Sequence, residues 1–101
     1  MTVDHLYILQ MAVTGDLKVG RSKKPFARMK QLQTGAPHRL KLLVVARYQG
    51  HRESRVHDRM AKFRLSGGSE WFSVDAFGSI PDNVVELMPP EVMEDPDWWK
   101  T

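Results

Sequence analysis

Apolar positions along the chain follow two rhythms. Residues 5–13, "HLYILQMAV", are almost continuously apolar, and "TGD" follows them as a turn signal. "LKVG" then alternates apolar with polar, so residues 5–13 and 17–21 read as a β-hairpin. "LKLLVVARY", residues 40–48, is rich in β-branched and aliphatic side chains and reads as a buried central strand. "EWFSV", residues 70–74, reads as a short last strand. The segments between have a helical period. Pro25 suits a first helical turn, where its missing N–H has no partner to lose, and Ser22 lies in the cap region. Phe26, Met29 and Leu32 give an apolar stripe that Gly35 and Pro37 stop. A second helix follows Gly50 with Val56, Met60 and Phe63 on one stripe, and Gly67–Gly68 end it. The pattern predicts an α+β domain. Its small, mainly antiparallel three-stranded sheet is a β-hairpin plus the central strand, flanked by helices, with a short closing strand.

After Val74 the pattern changes. Pro81, Pro89, Pro90 and Pro96 break any long element and leave a short helix around Asn83–Met88. The chain therefore divides into a body, residues 1–74, and an acidic Pro- and Trp-containing tail, residues 75–101. The body already ends on its closing strand, so the tail is expected to be dispensable for folding. Trp98 and Trp99 are expected to dock on the body, because burying two indoles removes a large apolar area from water.

Composition narrows the class. A chain of 101 residues with 42% hydrophobic content suits one domain with a modest core. No apolar run approaches a membrane span, and "MTVDHLYILQ" lacks the basic start and long apolar run of a secretory signal. Cysteine is absent, which excludes disulfides, thiolate chemistry and Cys-ligated zinc and fits a cytoplasmic protein. The formal net charge of +3 hides an asymmetry. The body holds fourteen Lys and Arg against five Asp and Glu, a net of +9, whereas the tail holds Lys100 against seven acids, a net of −6. Such a body attracts polyanions at long range, and the tail either shields it or extends from it. The cations concentrate in "LKVGRSKKPFARMK", where Lys18, Arg21, Lys23, Lys24, Arg28 and Lys30 stand without an acid.

Two further residues change the picture. On a helical wheel Glu53, His57, Met60 and Arg64 share one stripe of the second helix, flanked by Val56 and Phe63. A glutamate in a first turn is favoured by the helix dipole, and a Glu–His pair four residues apart needs no chemistry. Arg28, at the border of the first helix's apolar face, can aim over the end of the hairpin towards Tyr7 and Lys18. Together these side chains make a coherent group. A carboxylate holds a hard divalent cation, an arginine and the metal neutralise charge on a phosphoryl group, and a tyrosine with a lowered pKa takes a proton from water.

These residues resemble the GIY-YIG nuclease superfamily, especially its short phage and bacterial members. "HLY" at His5–Tyr7 matches the first motif and "KVG" at Lys18–Gly20 the second, eleven residues from tyrosine to lysine. "GRSKKPFARMKQLQTGAP" is similar to the family's segment around the helix arginine, here Arg28. "ESRVH" resembles its E-x-x-x-H and "GGSEWFSV" its closing strand, so the likeness covers residues 5–74. It departs at His5, where the family has glycine, and at Lys18, where it has tyrosine. A late family asparagine has no clear match. The resemblance implies that Tyr7 is the base or water-orienting phenol, Arg28 the transition-state cation and Glu53 the ligand of one Mg²⁺ or Mn²⁺. Lys18 would be a donor near the nucleophile, and His57 would hold Glu53 or a leaving-group phosphate, or only satisfy a core position. Arg21, Lys23, Lys24 and Lys30 would hold the nucleic-acid backbone, with Arg21 able to join either group.

The expected function is metal-dependent endonucleolytic hydrolysis of DNA with little intrinsic sequence specificity, by a monomer or weak dimer that does not engage a membrane. The alternatives are a GIY-YIG-like nucleic-acid-binding module without turnover, and a phage-derived interaction protein that uses Trp98 and Trp99.

Overall fold

Strand β1 (His5–Met11) has neighbours on both sides in the computed structural model, which describes residues 4–65 and 70–100. It pairs antiparallel with β2 (Leu17–Ser22) and with β3 (Leu40–Ala46), and the two-residue β4 (Trp71–Phe72) pairs antiparallel with β2. The order is β3-β1-β2-β4. The sheet therefore has four strands where three and a separate closing piece were expected, because the "EWFSV" segment joins β2 as the fourth. The centre belongs to β1 and not to β3, which lies at an edge. Both strands read as apolar runs because both sheet faces are covered, so apolar content does not separate edge from centre.

Side-chain alternation sorts the strands into two cores. Leu6, Ile8, Leu17, Val19, Val44 and Phe72 enter one cluster with Val56 and Met60 of α2 (Glu53–Met60). Tyr7, Leu9, Met11 and Leu40 enter the other, against Met29 and Leu32 of α1 (Pro25–Gly35). Helix α1 starts at Pro25 and ends at Gly35 as its signals predict, and the Lys24 amide donates to Ser22 Oγ at 3.0 Å. Its inward stripe differs by one position. Pro25, Met29, Leu32 and Ala36 face the sheet, while Phe26 is 66% exposed. Helix α2 follows a 3₁₀ turn at Gly50–Arg52, and Val56, Met60 and Phe63 face the core as expected. The Gly67–Gly68 stop lies outside the described residues.

The segment after β4 winds through a 3₁₀ stretch at Val74–Ser79, then α3 (Asp82–Val85) and α4 (Pro90–Glu94). Pro90 starts α4 where breaking was expected, because a helix's first turn tolerates proline. Ala76, Ile80, Val84, Met88 and Val92 all join the cluster under α2. Trp98 packs against the same cluster, and its Nε1 donates to the buried Gln10 Oε1 at 2.8 Å. The Val13 amide donates to the Trp99 carbonyl at 2.6 Å. The tryptophans thus dock on the body, but the expectation that residues 75–101 are dispensable for folding does not fit five core side chains supplied by that segment. Among the described residues no helix is long and apolar enough to cross a membrane.

Candidate functional site

Tyr7 and Gly20 stand opposite each other in the β1–β2 ladder, and the phenol lies across the glycine. A methyl group on Gly20 would sit 2.4 Å from the Tyr7 hydroxyl oxygen and 2.5 Å from Cζ. The need here is for room beneath a buried ring, since Tyr7 is 2% exposed. Gly20→Ala is therefore expected to swing the phenol out of place and cost about 1–3 kcal/mol, the usual penalty of overpacking. A thermal melt checks the stability, and loss of the ring contacts shows in the Tyr7 NMR signals.

Burial pushes the Tyr7 phenol above its ordinary value of 10.0, hydrogen bonding and charge from Arg28 draw it back, and Glu70 and Glu53 add to the rise. The net shift is upward, so the phenol keeps its proton at neutral pH. The expected lowering by cation neighbours is overturned, because desolvation outweighs the arginine. Arg28 sits near the start of α1, exposed, with Nη1 donating to Gln31 Oε1 at 3.2 Å.

Lys18 does not act on that phenol. Its ammonium, 5% exposed as a residue, bonds to Glu70 Oε2 at 2.6 Å and lies 5.8 Å from the Trp71 ring centroid. Expected as a donor near the nucleophile, it instead forms an ion pair bracing β2 against the approach to β4. The Lys18 hydrogen bond, then its charge, hold the Glu70 carboxyl below its ordinary 4.5. The pair's contribution is thus present above that pH and is lost as pH falls through the lower folded-state value. Glu70 is largely exposed, so the contribution is roughly 0.2–1 kcal/mol. The two partners differ in burial, which predicts an asymmetry. Glu70→Ala, which strands a buried ammonium, should cost more than Lys18→Met, which leaves only a solvated carboxylate. Urea melts of both variants test this, and equal losses would contradict it.

Glu53 opens α2 and meets Arg21 of β2, whose Nε is 4.0 Å from Glu53 Oε2 and 3.9 Å from Asp4 Oδ2. Two carboxylates from distant parts of the chain thus converge on one guanidinium. His57, one turn along α2, has Nε2 2.8 Å from the Val19 carbonyl oxygen and its ring edge-on to Phe72 at 5.2 Å. A carbonyl only accepts, so Nε2 carries the hydrogen. Strand β4 pairs with β2 only at Leu17 and Lys18, and His57 takes up the edge carbonyl just beyond it. At 3.9 Å from Glu53 Oε1, it pins the helix to the sheet and flanks the carboxylate.

Lys23 and Lys24 are exposed and line, with Ser22, Ala27, Arg28 and Gln31, an open groove of about 330 Å³ at the start of α1. Lys30 is exposed on α1 outside that groove. The structure therefore pairs Arg28 with Tyr7 and Arg21 with Glu53, lets the Glu53 charge reach the phenol, places Lys18 and His57 in supporting contacts, and leaves Lys23, Lys24 and Lys30 exposed near the start of and along α1. Sequence reasoning missed Asp4 and the hold of Glu70 on Lys18, and it placed Gly20 in a motif without its packing role beneath Tyr7. A glycine directly after an apolar strand residue was a signal of close approach for Gly20, whereas only the ion pairs with Arg21 and Lys18 reveal Asp4 and Glu70.

Among the described residues no group of three or more His, Asp or Glu is gathered to hold a metal. Glu53 and Asp4 make only contacts near 4 Å. An ion such as Mg²⁺ takes one or two carboxylates and completes its shell with water and phosphate, so Glu53 and Asp4 are the carboxylates such an ion would call on.

No curated protein and no solved structure matches the chain. The resemblance to the GIY-YIG superfamily is corrected by comparison with family models, because the model that matches is that of a different family. Its span runs from the start of β1 across Val74 to Pro89, residues 4–89, and the chain belongs to the T5orf172 domain family.

Proposed function

We propose that the domain is an endonuclease that binds DNA along α1 and β2 and hydrolyses a phosphodiester bond with the aid of Mg²⁺ or Mn²⁺. One observation supports the reading: at the Gly20 end of β2 an arginine from α1 bonds the Tyr7 phenol, Arg21 pairs with Glu53 of α2, and the Glu53 charge is felt at the phenol. Glu53, with Asp4 beside it, would hold the cation. When bound, such an ion neutralises phosphoryl charge and makes water a better nucleophile. Arg28, exposed above the phenol, would face the phosphoryl group and stabilise charge gained in the transition state. Arg21 would exchange its carboxylate partners for a phosphate oxygen. Tyr7, which keeps its proton at neutral pH, would orient water or a phosphoryl oxygen by hydrogen bonding. Lys23, Lys24 and Lys30 would position the backbone without reading bases, and so small a surface gives little sequence preference.

A second reading, a nucleic-acid-binding module without turnover, is favoured by the raised Tyr7 pKa and by Lys18 being held by Glu70. Supercoiled plasmid incubated with Mg²⁺, Mn²⁺ or chelator separates the two. Nicking that needs the metal supports the first, whereas retained binding without nicking selects the second.

A further inference from the structure

The corner of the sheet next to Tyr7 carries aromatic rings that the proposed chemistry does not use. Tyr48, just past β3, is 64% exposed and holds φ of 60°, a region that a bulky residue rarely occupies. Its amide donates to His5 Nδ1 at 2.9 Å, and its ring tilts against the His5 ring at 4.9 Å between centroids. The backbone is thus held in a costly conformation whose effect is to keep a phenol ring in solvent beside an imidazole. His5 and Tyr7 point to the same face of β1, two residues or about 7 Å apart. His5 pairs across the sheet with Ser22, and α1 begins three residues beyond it, so the exposed Phe26 of the first turn lies at the same end of the sheet. Exposed Lys23, Lys24 and Arg47 flank this corner in the sequence. Exposed rings among cations suit the π-face and the phosphate of a single nucleotide.

We infer that Tyr48, seated on His5, is a stacking platform for an unpaired base one nucleotide step from the phosphate held at Tyr7. The preferred substrate is then a single strand, or a duplex with an unpaired nucleotide or overhang. The inference rests on the proposed nucleic-acid reading and adds the substrate class. A fully paired duplex keeps its bases inside the stack and offers the platform nothing. Phosphate contacts from the lysines are common to both substrates and do not discriminate.

The test is fluorescence-anisotropy binding of three labelled oligonucleotides at one salt concentration: a single strand, an overhang duplex and a blunt duplex. The wild-type protein should bind the first two more tightly than the third. Tyr48→Ala should weaken them about 10-fold and leave the blunt duplex unchanged, with the same salt slope, because no charge is removed. Tyr48→Gly removes the ring while suiting the positive φ, so it should keep the fold and show the same selective loss. Tyr48→Phe should retain the preference. Equal affinity for all three oligonucleotides in the wild type, or an equal loss on all three in Tyr48→Gly, overturns the platform while leaving the nucleic-acid reading standing. Absence of binding to any of them overturns both.

Discussion

Removing residues 75–101 is expected to abolish cooperative folding. Ile80, Val84, Met88 and Val92 are buried in the cluster under α2, and Ala76 fills its floor. Burying a Val, Ile or Met side chain stabilises by about 1.5–3 kcal/mol, so the four larger ones together supply about 6–12 kcal/mol as an upper figure. That is comparable with the whole stability of a small domain, about 5–15 kcal/mol. Truncation also leaves the buried Gln10 carbonyl without the Trp98 indole that bonds it. A circular-dichroism melt of the truncated chain should show no cooperative transition. The rival picture treats the segment's net −6 as a shield over the net +9 body. It predicts an intact melt with tighter DNA binding and a steeper salt dependence, and that result would remove the tail from the fold.

Arg28→Ala is expected to lower cleavage by about 100-fold or more, the scale on which a removed transition-state charge partner acts. Its stability should change little, by about 0.5 kcal/mol, because Arg28 is exposed and bonds Gln31 on its own helix besides the Tyr7 phenol. The variant also carries a spectroscopic signature. Arg28 draws the Tyr7 phenol downward against burial, so its loss should move the tyrosinate transition to still higher pH. Absorbance titration reads that shift independently of turnover. Unchanged cleavage with an unmoved phenol would show that Arg28 neither faces the phosphate nor touches Tyr7.

Much of the body was legible because local signals and tertiary packing agree there. Pro25 and Gly35 bound α1, and Val56 and Met60 face inward, as period and stop signals indicate. The errors came where position in the sheet decides. A β-rich run such as residues 40–46 looks central whenever both its faces are covered, and only the pairing shows β3 at an edge. Phe26 was misplaced because the inward stripe begins at Pro25, a residue that pattern reading treats as punctuation. The acidic tail concealed its apolar positions among prolines, yet Ile80, Val84, Met88 and Val92 recur every four residues. At the proposed site, residue types and spacing singled out Tyr7, Arg28 and Glu53. The sign of the Tyr7 shift and the hold of Glu70 on Lys18 depend on burial and on a contact across fifty-two positions of sequence. Neither is written in a local motif.

The most direct test of the proposed chemistry is the Mn²⁺ dependence of plasmid nicking by the wild-type protein and by Glu53→Gln, measured side by side after both pass the same thermal melt. The substitution keeps the shape at the start of α2 and removes the charge that would hold the ion. Nicking should rise with Mn²⁺ in the wild type and stay at the chelator baseline in Glu53→Gln. Equal metal-dependent nicking by both proteins would contradict that chemistry.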